Sequence, residues 1–307
     1  MRYALCPMLL GPMPDARCPT LPHLSEKGYN LAENWIVSAN LAKELLSGGA
    51  TLLDAREPLL KWFCRLPPAI PVTWQQFACS DFPHQGKILE DDTILTEKLQ
   101  ALGICQDQPV IVIADSAKGW GEDGRIVWML RTLGHEKAVF VDGGYRAFVK
   151  AGIDRTKRTN HPSQPGDFIV SRRSNWAINR DDLKAILGNA NLAVIDAREP
   201  REYAGKTPYG ETRGGHIPGA VHLYYKELMD KQGKLLEREE IVAMLQQKGV
   251  SQSTEIVSYC TGGIRSAWLT CVLTNLGFNA KNYAGSMWEW SAAPADSYPL
   301  EKKPRAR

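Results

Sequence analysis

The chain has 307 residues, 44% of them hydrophobic and 23% charged, the composition of an ordinary globular protein long enough for two domains. A formal net charge of +3 gives no electrostatic case for binding nucleic acid or a membrane surface. Seven scattered cysteines without a Cys-x-x-Cys pair, and six dispersed histidines, describe neither a disulfide framework nor a metal site and suit a reducing compartment.

Residues 1–33 hold five of the nineteen prolines and show little periodicity, so they are expected to form an irregular arm. The apolar run Met8-Leu9-Leu10 is short and flanked by prolines, which argues against a signal peptide. No stretch approaches the ~18 apolar residues of a membrane span, and cytoplasm is the expected location. Trp35-Ile36-Val37-Ser38 reads as a short strand ending on a helix cap, and Ala39 to Leu46 as a helix stopped by Gly48-Gly49. Thr51 to Arg56 reads as a buried strand entering a polar turn. A helix is expected over 93–102, and Val110 to Ala114 is an apolar run of the kind buried on both faces of a parallel sheet. A glycine-rich loop, Lys118 to Gly124, leads into a helix from Arg125 to Leu133, and Ala138 to Val141 is a further strand. Residues 151–175, with Pro162 and Pro165 among basic and polar residues, read as a solvated linker.

The second half repeats the first. Leu192 to Pro200 echoes Thr51 to Pro58, Ile256 to Tyr259 echoes the strand at Val110, and Leu276-Gly277 echoes Leu133-Gly134, at offsets of 142 to 146 residues. This is duplication of a domain, since a solenoid would repeat every ~20–50 residues. Each half alternates strand and helix, so the fold class is α/β, two tandem domains each with a mostly parallel sheet flanked by helices. The expected division is an arm (1–33), a first domain (34–150), a linker (151–175) and a second domain (176–300).

The chemistry concentrates at Cys260-Thr261-Gly262-Gly263-Ile264-Arg265, between a strand and an apolar helix. A thiolate is the reactive form of cysteine, and a helix N-terminus favours it through unpaired N–H groups. Gly262 and Gly263 permit a tight loop with N–H groups turned inward. Arg265, expected on the rim, adds a fixed charge suited to oxyanions. Ser266 is placed to cap the helix or donate to the sulfur. Most free cysteines are small buried hydrophobes, and that reading holds for Cys271, Cys64, Cys79 and Cys105. The position matching Cys260 in the first half is Ala114 or Asp115, neither a thiol.

With Cys260, three further elements carry a family resemblance: Gly214-Gly215-His216-Ile217-Pro218-Gly219-Ala220, Asp196-Ala197-Arg198 with Tyr203, and Gly285-Ser286 with Glu289-Trp290. The chain resembles the tandem-domain rhodaneses, the thiosulfate and 3-mercaptopyruvate sulfurtransferases, from about Trp35 to Ala292. The resemblance implies an inactive first domain, a catalytic second domain and a Cys260 persulfide. In that implied mechanism Cys260 takes sulfane sulfur from a small anionic donor, becomes the persulfide and passes the sulfur to cyanide or a thiol, with a thioredoxin-like or sulfur-acceptor protein as a further implied partner. It implies no cofactor and no metal. Four residues separate Cys260 from Arg265, where protein tyrosine phosphatases have five, and a six-residue loop suits sulfur better than phosphate. Arg198 is implied to contact the donor anion, with a structural ion pair to Glu199 or Glu202 as the competing reading. The fixed charge of Arg265 favours dianionic thiosulfate over 3-mercaptopyruvate; a persulfide carrier serving a protein partner is a third reading. His216 reads as part of a structural turn and Arg56 as structural. Trp120 and Arg125 are candidate cleft walls. Met287 stands where relatives often carry tryptophan.

Overall fold

A computed structural model describes residues 30–57, 66, 69–153, 162 and 164–302. Its first sheet contains β1 (Ile36–Val37), β2 (Thr51–Asp54), β3 (Ile70–Pro71), β4 (Val110–Ile113) and β5 (Ala138–Val141), ordered β1-β5-β4-β2-β3 and parallel throughout. The second contains β6 (Leu192–Asp196), β7 (Val221–His222), β8 (Glu255–Tyr259) and β9 (Asn279–Asn282), ordered β7-β6-β8-β9 and also parallel. A bridge from Ala177 to Asn282 occupies the place that β1 holds in the first sheet. Every residue of β4 and of β5 is buried, as expected of strands covered by helices on both faces. The helices are α1 (Ala39–Ser47), α2 (Asp92–Ala101), α3 (Glu122–Thr132), α4 (Gly144–Lys150), α5 (Arg180–Ile186), α6 (Pro200–Tyr203), α7 (Arg238–Gln247), α8 (Ile264–Asn275) and α9 (Ser286–Ala292).

Register settles how the two halves correspond. Asp54 pairs with Ile113 in the first sheet, and Asp196 with Tyr259 in the second. The next residues are therefore equivalent, and Cys260 matches Ala114. A second pair agrees: Tyr145 N–H donates to the Ala114 carbonyl and Met287 N–H to that of Cys260. The loops that follow differ. The chain reaches the cap of α8 at Gly263, three residues after Cys260, but reaches the cap of α3 at Gly121 only seven residues after Ala114.

The two halves meet through these same helices. All eleven residues of α3 are buried, and so are Arg265 to Leu273 of α8. Helices buried on all sides need close neighbours, and glycine provides the approach. A Cβ on Gly124 would lie 2.5 Å from the Trp268 Cα, and one on Gly121 2.7 Å from the Trp268 Cβ.

Three expectations change. The linker is not solvated over its second part: Gly166, Phe168, Ser171 and Arg173 donate their N–H groups to carbonyls of Gln100, Ile104, Leu133 and Thr132, and Phe168 is fully buried. A side chain at Gly166 would strike the Ile104 carbonyl, so the strip lies flat on the first domain. Cys105, expected to be a packed thiol, is disulfide-bonded. The expected arm lies outside the described residues up to position 29, while Leu31, Ala32 and Asn34 give their carbonyls to the buried Arg131 and so belong to the first domain. Among the described residues no helix is long and apolar enough to cross a membrane, and no cluster of side chains could hold a metal ion.

Candidate active site

In an open parallel sheet, ligands bind beyond the carboxyl ends of the strands, where the strand order reverses. In the second sheet this point lies between β6 and β8, and Cys260 is the first residue after β8. The residue is 1% exposed. The sulfur accepts the N–H of Gly263 at 3.1 Å and the hydroxyl of Ser266 at 3.5 Å. Burial pushes the thiol up, but the charge of Arg265, the Ser266 hydroxyl and loop N–H groups outweigh it, and the net shift is down. For Cys271 burial wins: it pushes the thiol well up despite the charge of Arg131 and nearby N–H groups. One buried thiol is therefore poised to ionise and the other is inert.

The loop is fixed from several sides. Gly263 has φ 79° and caps α8, so its left-handed backbone requires glycine. Gly262 is needed for space instead: a Cβ there would lie 2.0 Å from the Trp288 ring. The Gly263 carbonyl accepts from Asn282 at 3.2 Å and from Arg125 at 3.3 Å. Cys260 N–H donates to the Ser286 Oγ at 3.1 Å, and that hydroxyl donates on to the Tyr283 carbonyl. Ser266 thus serves the sulfur and does not cap the helix.

Arg265 is not on the rim. It is 3% exposed and forms a two-pronged pair with Glu202, at 2.6 and 2.8 Å, and donates to the Thr261 Oγ1 at 2.6 Å. Thr261 in turn donates to Glu202 at 2.8 Å. Burial disfavours both charges, yet each secures the other: Glu202 is held below the usual carboxylate range and Arg265 above its ordinary value. Glu202 sits in the last turn position of a capping box that opens α6, which the Glu199-x-x-Glu202 spacing signals. Nothing in that spacing says the carboxylate reaches an arginine 63 residues away.

Arg198 lies elsewhere. It is fully buried, pairs through two nitrogens with Asp196 and donates to the Gly215 carbonyl at 2.7 Å. Its remaining nitrogen lies 3.8 Å from Glu211. Arg56 makes the same pair with Asp54 in the half without the cysteine. A device shared by both halves belongs to the fold, and Arg198 does not line the cleft, so the expected contact with a donor anion is not available to it. The competing partners Glu199 and Glu202 are not its partners either. His216 behaves as expected, its Nδ1 2.9 Å from the Tyr203 carbonyl and its ring stacked on that of Tyr203.

Above the sulfur is a cleft of about 260 Å³. Cys260, Thr261, Gly262, Ile264 and Arg265 form its floor, with Tyr209 and Trp288 on one side. The other side comes from the first domain: Glu57, Trp74, Trp120 and Glu122. Trp120 and Glu122 sit on or beside the extra residues of the Ala114–Gly121 loop, so the longer loop builds a wall. Met287 is buried in the second domain's core, and Trp288 takes the place at the cleft. Arg125, 1% exposed, reaches beneath the loop and donates to the carbonyls of Gly86 at 2.8 Å and Gly263 at 3.3 Å. Burial lowers it to about 10, offset in part by Cys260 and Cys79.

The Rhodanese-like domain model matches twice, over residues 38–151 and 179–293. The chain belongs to the rhodanese family. A thiosulfate sulfurtransferase of Azotobacter vinelandii is 33% identical over 194 residues, 63% of this chain and 70% of that protein. A probable 3-mercaptopyruvate sulfurtransferase of Pseudomonas aeruginosa is 32% identical over 67% of this chain and 72% of its own length. A sulfur carrier protein of Thermus thermophilus is 30% identical over 86% and 95%. Among solved structures, SseA of Escherichia coli, a 3-mercaptopyruvate sulfotransferase, superposes with a TM-score of 0.70 at 24% identity, covering 82% of this chain and 98% of that one. The tandem rhodanese fold and sulfurtransferase activity follow from these matches; the donor and acceptor do not.

Proposed function

We propose that this rhodanese transfers sulfane sulfur through a persulfide on Cys260. The observation that carries the reading is the sulfur itself, buried at the floor of a cleft, held by an N–H and a hydroxyl, and shifted toward the thiolate. The thiolate attacks the outer sulfur of thiosulfate; the sulfur–sulfur bond breaks and sulfite leaves with the electron pair. The loop N–H groups and the N-terminus of α8 then hold the persulfide anion. A cyanide ion or a thiolate attacks the terminal sulfur and releases the Cys260 thiolate. Thr261, Gly262, Gly263 and Ile264 shape this cradle. Arg265 holds the field at the sulfur and keeps Thr261 in place, but its pairing with Glu202 leaves less free charge for a dianion than an unpaired arginine would. That pairing also favours a second reading, in which the donor is monoanionic 3-mercaptopyruvate.

Intact mass after donor treatment tests the proposal. Thiosulfate is expected to add one sulfur atom, ~32 Da, removed by cyanide and mapped to Cys260, the residue whose thiolate makes the attack. Thiocyanate production surviving in Cys260→Ser would overturn it. The two donors at equal concentration separate the two readings.

A further inference from the structure

The lining of the cleft carries an electrostatic preference that the sulfur chemistry does not require. Four aromatic side chains line it, Trp74 and Trp120 from the first domain and Tyr209 and Trp288 from the second, with Trp120 and Tyr209 meeting edge to face at 5.2 Å. Aromatic faces attract a cation within about 6 Å of the ring centre. This cleft already shows the effect, since the Arg265 guanidinium lies 5.2 Å from the Trp120 centroid and 5.6 Å from that of Tyr209. Two carboxylates, Glu57 and Glu122, complete the wall. Glu122 accepts the Trp120 N–H at 2.9 Å. Neither carboxylate has an ion-pair partner among the described residues, and they sit close enough that Glu57 makes Glu122 harder to ionise, after burial.

The cations nearby are all engaged. Arg265 is matched by Glu202 and Arg198 by Asp196, Arg125 is held by two carbonyls beneath the floor, and Arg201, which donates to the Tyr209 hydroxyl at 3.1 Å, is paired with Glu199. Lys226 gives its ammonium to the Ala117 carbonyl at 3.2 Å and does not line the cleft, but it lies near enough to favour the charged form of Glu122. The mouth is therefore aromatic and acidic, while the cation on its floor, Arg265, is paired with Glu202.

Resting on the sulfurtransferase reading, we infer that the cleft selects as sulfur acceptor a small thiol bearing a fixed positive charge, an ammonium or quaternary ammonium seated between the aromatic rings and the Glu57–Glu122 pair. In that step the acceptor thiol gives its proton to solvent. Its thiolate attacks the terminal sulfur of the persulfide, a new sulfur–sulfur bond forms on the acceptor, and the old bond breaks to return the Cys260 thiolate. No net oxidation occurs.

The test loads Cys260 with polysulfide, so that it does not depend on the choice of donor. It then compares thiocholine, 2-mercaptoethanol and mercaptoacetate as acceptors, with rates expressed per thiolate. The expected order is cation, then neutral, then anion, with about tenfold between the extremes from one or two cation–π contacts. In the Glu57→Gln/Glu122→Gln variant the order should flatten to within about twofold, while kcat/KM for thiosulfate rises; these opposite movements are what a mere loss of folding could not produce. Tetramethylammonium should quench tryptophan fluorescence saturably in the unmodified protein and not in the double variant. Equal rates for the three acceptors on a fully loaded Cys260, with no quenching, would overturn the inference and leave the sulfurtransferase reading intact. Failure of Cys260 to take up sulfur from any donor would sink that reading and the inference with it.

Discussion

Replacing Glu202 with glutamine separates the two roles of Arg265. In the native protein the pair is two-pronged, with side chains 3% and 0% exposed. Exposed ion pairs contribute only about 0–1 kcal/mol, but leaving one charge of a buried pair without its partner costs about 3–5 kcal/mol. The amide keeps one acceptor for Arg265 and for Thr261, so the lower end of that range is expected. At roughly 2–4 °C per kcal/mol for chains of this class, Tm should drop by about 6–12 °C. The sign with pH follows from the depressed Glu202 carboxyl: its stabilisation is present above the unfolded carboxylate pKa and lost as pH falls through the lower folded value. The gap between native and variant should be widest near neutrality and close in acid. Cys260 should move the opposite way from stability. With its countercharge gone, Arg265 acts on the sulfur unopposed, and the thiol should ionise at lower pH. Urea unfolding gives the first quantity, and the pH profile of iodoacetamide alkylation gives the second. A variant as stable as the native protein, or a thiol that titrates at the same or higher pH, would refute the view that Glu202 both locks and moderates Arg265.

Other outcomes follow from the same geometry. Ser266→Ala removes a hydroxyl from the sulfur, a contact of about 0.5–1.5 kcal/mol; alkylation at neutral pH should slow by about two- to tenfold, with its profile displaced upward. Arg198→Met strands Asp196, which is fully buried, and should cost about 3–5 kcal/mol in urea; sulfur uptake by the folded fraction should stay within about twofold, since the guanidinium does not line the cleft. A specific rise in the donor's KM would show instead that Arg198 meets the anion. Gly262→Ala forces Trp288 off the loop, because the new Cβ would lie 2.0 Å from its ring. The indole N–H bond to the Tyr209 carbonyl should break, with a change in tryptophan fluorescence and a loss of activity of about a hundredfold.

The sulfur-bearing loop was legible because its signals are local. A β-type run, a cysteine, two glycines and an apolar helix lie within about fifteen residues, and each reports the conformation of its neighbours. The duplicated α/β architecture was legible for the same reason, repeated twice. Arg265 was misplaced because its partner, Glu202, is distant in the chain and near only through the β6–β8 pairing. Arg198 was misread for the opposite reason: its partner, Asp196, is only two residues away, but Asp196 ends β6 and Arg198 lies beyond it, where the alternation of a strand no longer says which way a side chain points. β9, Asn279–Asn282, carries no β-branched residue and was invisible to propensity; pairing with β8 decides it. The strip at Gly166 to Arg173 looked like linker by composition, and only the exposed carbonyls at the ends of α2 and α3 make it a docked segment.

The four additional residues between Ala114 and Gly121 bear on how long a persulfide survives. A sulfur atom carried on sulfur is vulnerable to any thiol or reductant that reaches it, and a single domain with its loop facing water would offer it freely. Here Trp120 and Glu122 line the cleft with Cys260, Arg125 steadies the loop from below, and Cys260 is 1% exposed. Access is through the cleft that both halves line. On the proposed Cys260 persulfide route, the half that lacks a nucleophile governs which molecules can collect the cargo of the half that has one, and separating the halves should convert a discriminating donor into an indiscriminate one.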